Sequence, residues 1–454
     1  MPSYAVLSRS ALMLAVLAAM LAAPGPLAGQ EEDAAVPFPQ AGPEDFGLLL
    51  PDAEPLPAAD RRVLVQDAEG QAVVGKVHVE VGDRFIALLP NGRLISVPIS
   101  EATVTERPFE PATKEQIADE LTAKFPGFKT RSTKRYLYLY NSSEPFYQAT
   151  SRILETMYPA LLKYFQREKF PVDDPATPLV VIMFRTEEEF ARYHEMPEGV
   201  VAYYNGVTNY VVMYEQSDLA DIAPDLAVKQ SISTIAHEGV HQILHNIGVQ
   251  QRLSRWPMWV SEGLPEYFAP TQTDKRVRWK GVGLVNDLRM HSLIQLFDAR
   301  PAGTPNGDLV RMTVEAESLN ANGYASAWGL THFLAKGRKK EFFEYLREVS
   351  QFGPLQRRNG AEVELFVKHY GDDYGALEEG MVKALKKLDY VDPIANQTHY
   401  VATIDFDGQR RVLVTTSPAQ VKQVVAESPG AEVNIRAFPN RDLATQAADA
   451  ALQR

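Results

Sequence analysis

The segment Leu226 to Ile247, LAVKQSISTIAHEGVHQILHNI, constrains this chain more than any other. On a helical wheel at about 100° per residue, Ile232, Ala236, Val240, Ile243, Leu244 and Ile247 fall on one half. Gln230, Thr234, His237, Glu238, His241, Gln242 and His245 fall on the other. Asp225 stands where a side chain caps a helix start, and Gly248 where a left-handed residue ends one. A chain with such a helix has to build a core against its apolar half. The other half presents two imidazoles flanking a carboxylate.

His237-Glu238-Gly239-Val240-His241 reads HExxH. Residues i and i+4 are neighbours on a helix, so both imidazoles can reach one ion at ~2.0–2.1 Å. Glu238 points about 100° away, too far round for a third short bond, yet within reach of a water on that ion. The competing reading is two surface histidines beside a chance glutamate. Composition narrows the metal chemistry: with no cysteine, any metal must be held by histidine and carboxylate. Two histidines leave a zinc ion short of ligands, and a third is expected downstream. Glu262, in Trp259-Val260-Ser261-Glu262-Gly263-Leu264-Pro265-Glu266-Tyr267-Phe268, is the candidate, with 20 residues between it and His241. A carboxylate in so apolar a setting needs a partner. The alternative is a surface acid on an amphipathic helix.

HEGVH, that interval and WVSEGLPEYF together resemble the gluzincin zinc metallopeptidases, in particular the peptidase MA-like domains of secreted bacterial proteins. The resemblance covers Arg131 to Val349. It implies an α+β fold, in which a mixed sheet with the HExxH helix packs against a helical subdomain. It also implies His237, His241 and Glu262 as Zn²⁺ ligands and Glu238 as general base. Some gluzincins use an acid four residues past the glutamate ligand to orient the first histidine, and Glu266 occupies that place. Pro265 departs from the pattern and predicts a helix kinked or ended early, which leaves Glu266 either aimed at the histidine or solvated. Related enzymes place a tyrosine or histidine to steady the oxyanion. Tyr324 is the first candidate and His332 the second, with a core aromatic as the other reading of Tyr324. His245 reads as second to the ligands or solvated rather than as a fourth ligand. In this resemblance the edge strand, taken as Asn209 to Tyr214, holds an extended peptide.

Around this domain (110–388) the chain divides by composition. Arg9 and the apolar run Ala11 to Ala23, followed by small residues up to Gly29, read as a signal peptide (1–29). Residues 30–60, rich in Ala, Pro, Glu and Asp, read as a flexible linker. Residues 61–106 alternate in short runs between turn residues and suggest a small β-barrel-like or β-sheet module, with His78 an ordinary strand residue. KRYLYLYN (134–141) and PLVVIMF (178–184) read as strands around a helix from Gln148 to Phe165. VVAYYNGVTNYVVMY (200–214) reads as a hairpin turning at Asn205-Gly206. Residues 395–454 read as a small ββαβ appendage. His194, His291, His369 and His399 have no partner pattern.

The 46 Lys and Arg against 58 Asp and Glu give a net charge of −12, which argues against a nucleic-acid surface. The expectation is an exported, zinc-dependent metallohydrolase that acts on a peptide or protein, without stable membrane insertion once the signal is cleaved. The alternative from another class is a non-catalytic, zinc-binding surface or scaffold protein. Cleavage near Gly29 removes Arg9 and no acid, taking the charge to −13. Intact mass of the secreted protein should place its N-terminus near Gln30; Met1 retained on cytoplasmic material would contradict export.

Overall fold

The structure, a computed structural model, describes residues 46–453 except 59, 68–69, 198, 216–223, 273–277, 302 and 358–359. The expected signal segment and the start of the expected linker lie outside the described residues. The architecture is mixed α and β with several sheets.

Six antiparallel strands form the first sheet: β1 (Pro55–Pro57), β2 (Arg62–Gln66), β3 (Ala72–Val81), β4 (Arg84–Leu88), β5 (Leu94–Pro98) and β6 (Thr103–Val104). They run in the order β5-β4-β3-β2-β6, with β1 beside β3, as an open path rather than a closed barrel. The linker expectation fails from Phe46 onward. Phe46 and Leu48 are buried, and β1 pairs with Val79 to Val81. Two apolar side chains in a polar, Pro-rich stretch are enough to fasten it.

The central sheet comprises β7 (Lys129–Ser132), β8 (Tyr136–Tyr140), β9 (Leu179–Phe184), β10 (Ala202–Tyr204) and β11 (Tyr210–Tyr214), in the order β10-β11-β9-β8-β7. β8, β9 and β11 run parallel, and the two outer strands are antiparallel to their neighbours. Both faces are covered, which is why YLYLY and LVVIMF lack polar alternation. One face, with Leu137, Leu139, Val180, Ile182, Tyr203 and Val212, packs on Val79, Val81, Ile86 and Leu94 of the first sheet. Ile117 and Leu121 of α1 (Lys114–Lys124) join that layer. The other face, with Tyr136, Tyr138, Val181 and Val211, packs on α2 (Glu144–Arg167) and on the HExxH helix. The short α3 (Glu187–Tyr193) follows β9.

That helix is α4 (Pro224–Asn246). It stops before Gly248, which has a φ of +87° as a helix stop requires. Asp225 lies inside the first turn rather than ahead of it, and its carboxylate accepts from the Thr398 N–H at 2.9 Å. The second informative helix is α5 (Met258–Phe268). Pro265 does not end it, because the Ala269 N–H still reaches the Pro265 carbonyl at 2.8 Å. Helices α6 (Asp287–Asp298), α7 (Asp308–Glu315), α8 (Ala321–Gly337), α9 (Lys339–Ser350), α10 (Ala361–Tyr370) and α11 (Tyr374–Leu385) complete the helical half. A two-stranded ladder, β12 (Thr271–Gln272) and β13 (Arg278–Trp279), lies between α5 and α6.

The tail forms a three-stranded sheet with β14 (His399–Phe406) between β15 (Gln409–Thr415) and β16 (Glu432–Phe438). α12 (Pro418–Glu427) is the expected helix. A further helix, α13 (Arg441–Leu452), seats Ala444 and Ala448 against Val401, so the unit is ββαβα.

Two glycines allow the site helices their close packing. A Cβ at Gly239 would collide with Leu154 Cδ2 of α2 and press on Met157 Cε. A Cβ at Gly263 would collide with Thr331 Oγ1 and stand 2.7 Å from the Ala327 carbonyl oxygen of α8. A side-chain tip can swing aside, whereas a helix carbonyl cannot. Alanine gains roughly 1 kcal/mol of helix propensity at either place. Gly263→Ala should nonetheless lower stability by about 1–3 kcal/mol or more, and Gly239→Ala by less. Denaturant unfolding of the two variants checks that order.

Candidate metal centre

α4 and α5 bring three ligand atoms together. His237 Nε2 is 3.2 Å from His241 Nε2 and 3.2 Å from Glu262 Oε2, and His241 Nε2 is 3.3 Å from the same oxygen. This near-equilateral triangle suits one metal ion. Tetrahedral bonds of ~2.0–2.1 Å set neighbouring ligand atoms roughly 3.3 Å apart, so the trio fits zinc without rearrangement. His237, His241 and Glu262 are only 1%, 2% and 2% exposed, so the surface readings of HExxH and of Glu262 do not hold. Among the described residues, no other such cluster occurs.

The electrostatics point the same way. Burial opposes charge on His237, but the carboxylates of Glu262, Glu266 and Glu238 outweigh it and push its pKa up to about 10. Burial would raise Glu262, yet His241 and His237 hold it well below the usual carboxylate range. Positive charge is wanted at this point, and a divalent cation on Nε2 supplies it as a proton would.

Glu266 is aimed at the histidine, not at solvent. Its Oε1 lies 3.2 Å from His237 Nδ1, the nitrogen facing away from the trio. The same oxygen accepts from Arg289 Nη2 at 2.7 Å, and Oε2 accepts from Asn286 Nδ2 at 2.9 Å. Against full burial, Arg289 and His237 keep the Glu266 pKa down at about 2. Because α5 runs on through Pro265, Glu266 stays one turn beyond Glu262, on the side of His237. Arg289 and Asn286 escape sequence reading. Asn286 caps α6 and Arg289 lies in its first turn, a spacing that carries no pattern, and only folding brings both to Glu266.

Glu238 is fully buried, stands outside the ligand triangle, and accepts the Tyr204 N–H on Oε2 at 2.7 Å. Tyr324 is also fully buried, with its ring 6.2 Å from that of His237 and under the Arg289 guanidinium at 5.2 Å. It is thus both a core aromatic and a neighbour of the centre. His332, two turns further along α8, packs against Tyr267 and Trp328. His245 stacks on Tyr204 at 5.3 Å and is no ligand. His291 meets Tyr390, His369 meets Glu348, and His399 meets Gln397.

The edge strand also needs correction. Asn209 to Tyr214 includes β11, which lies between β9 and β10, and the edge is β10. The hairpin does not turn on positive φ at Asn205-Gly206. Its loop runs from Asn205 to Asn209, the Asn205 side chain accepts from the Val207 and Thr208 N–H groups, and Asn209 takes the φ of +66°. The polar half of α4 is itself buried. Gln242 Nε2 donates to the carbonyls of Val180 and Asn209 at 3.0 and 2.7 Å, fastening the helix to the sheet.

A family model described as "Protein of unknown function (DUF1570)" matches residues 231–356. That stretch contains the trio, Glu238, Glu266, Arg289 and Tyr324. No curated protein matches the chain.

Purified protein should hold about one zinc per chain, and the His237→Ala/His241→Ala double variant should hold none. Arg289→Met leaves every ligand in place but frees Glu266, and should weaken zinc binding about 10–100-fold by competition titration. Zinc retained in full by the double variant would overturn the ligand set.

Proposed function

We propose that the chain is an exported zinc-dependent metallohydrolase of gluzincin type that cleaves peptide bonds. The observation that carries this reading is the pairing of a complete ligand triangle with a buried carboxylate, Glu238, beside the triangle but outside it. A mixed sheet covered by the HExxH helix, with the third ligand on the next helix, agrees with the gluzincin resemblance.

His237, His241 and Glu262 would hold the zinc, which between two neutral imidazoles and one carboxylate would keep net positive charge and supply the means to polarise a carbonyl and acidify a water. Glu238 would serve as general base, taking a proton from an attacking water and passing it to the leaving amine. The Tyr204 N–H holds Oε2 and so fixes the plane of the carboxylate. Glu266, clamped by Arg289 and Asn286, fixes the ring of His237. Tyr324 stands next to His237, where a phenol can steady a developing oxyanion. An extended peptide would lie along β10, the edge strand whose Tyr204 contacts Glu238.

Glu238→Gln keeps size and hydrogen bonding and removes the base. The variant should fold, bind zinc near stoichiometrically, and lose about 10²–10⁴-fold in hydrolysis of peptides that the wild type cuts from a broad library. Loss of zinc would make Glu238 a ligand and the ligand set wrong. Zinc retained by both proteins with no cleavage by either would favour the non-catalytic scaffold.

A further inference from the structure

Arg252, just past the end of α4, is 7% exposed, and no carboxylate pairs with it among the described residues. Its guanidinium is spent on backbone carbonyls instead. Nε donates to Gly206 O at 2.7 Å, Nη2 to Val207 O at 2.7 Å and Nη1 to Gly92 O at 2.8 Å. Gly206 and Val207 belong to the loop between β10 and β11, and Gly92 to the turn between β4 and β5. Val207 O accepts from the Leu94 N–H as well, at 2.8 Å. A buried cation held only by carbonyls is costly to keep, and the planar fork of arginine is the side chain that can span three such oxygens.

The loop it grips leads to the proposed base. Asn209, at the end of that loop, exchanges side-chain hydrogen bonds with Asn246 of α4 at 2.7 and 2.9 Å. Asn209 Oδ1 also accepts from the Tyr204 hydroxyl at 2.9 Å. The Tyr204 N–H then meets Glu238 at 2.7 Å. From Arg252 through the loop to Asn209, Tyr204 and Glu238, every link is a short hydrogen bond, buried or partly buried, or a stretch of backbone.

We infer that Arg252 is a positioning residue, which locks the turn of the first sheet onto the β10–β11 loop and thereby sets the Tyr204 N–H against Glu238. This rests on the hydrolase reading only for its effect on rate; the effect on the Tyr204 amide does not. None of the metal ligands takes part in the chain of contacts. Loss of Arg252 therefore separates the placement of the base from the binding of zinc.

The test compares zinc-loaded, full-length mature wild type with Arg252→Lys, which keeps the charge but cannot span three carbonyls, and with Tyr204→Phe, which removes only the hydroxyl link to Asn209. Three quantities are read: zinc per chain, kcat and KM on peptides that the wild type cuts, and hydrogen exchange of the Tyr204 amide. Both variants should keep one zinc and exchange the Tyr204 amide faster. kcat should drop by about 10²-fold in Arg252→Lys and by less in Tyr204→Phe, with KM little changed. Unchanged kcat and unchanged exchange in Arg252→Lys would overturn the inference, as would loss of zinc in step with activity. If Arg252→Lys fails to fold, Tyr204→Phe decides: wild-type exchange and kcat there would overturn the inference. If wild type cleaves nothing while Arg252→Lys still speeds Tyr204 exchange, the hydrolase reading falls and the positioning stands.

Discussion

His237 touches His241, Glu262 and Glu266 in a buried cluster, and the surrounding structure is organised to make that arrangement tolerable. A carboxylate buried alone costs several kcal/mol, and two of them beside one imidazole would repel each other. Arg289 and Asn286 answer for Glu266, and the imidazoles answer for Glu262. The helices carrying these groups can approach so closely only because Gly239 and Gly263 lack side chains where α2 and α8 press in. Charge compensation and tight packing are therefore one requirement met twice.

The parts of this site legible in the sequence are those that repeat with helical geometry. His237 and His241 stand one turn apart, so spacing alone could nominate them, whereas Glu262 also needed its apolar setting and Glu266 the gluzincin resemblance. Arg289, Asn286 and Arg252 have no such spacing, because their partners come from other elements. The Asn205-Gly206 pair located the hairpin but not its turn, since the Asn205 side chain bonds the loop backbone instead of leaving the residue to adopt positive φ. Pro265 signalled a helix kinked or ended early, and the early end does not occur. Helix α5 is packed along nearly its whole length, and burial outweighs one missing N–H.

The same contrast holds for the fold. Strands β8 and β9 were plain as uninterrupted apolar runs, but such runs do not say what covers each face. Residues Leu137, Leu139, Val180 and Ile182 meet the first sheet, and Tyr136, Tyr138 and Val181 meet the helices. A module that looked self-contained from composition thus shares its core with the central sheet. Averaged polarity likewise hid Phe46 and Leu48, which a linker would not bury.

That shared layer sets an order of events during synthesis. The first sheet is made early; Ile117, Leu121, Leu137 and Leu139 reach Val79, Val81, Ile86 and Leu94 soon after, but Val180, Ile182, Tyr203, Tyr210 and Val212 follow much later in the chain. Such long sequence separations slow folding and leave an apolar face uncovered in the meantime. A chain that crosses a membrane before it folds would meet this interval on the far side. The nascent sheet would then depend on a holding chaperone, or on speed, until the later strands of the central sheet arrive.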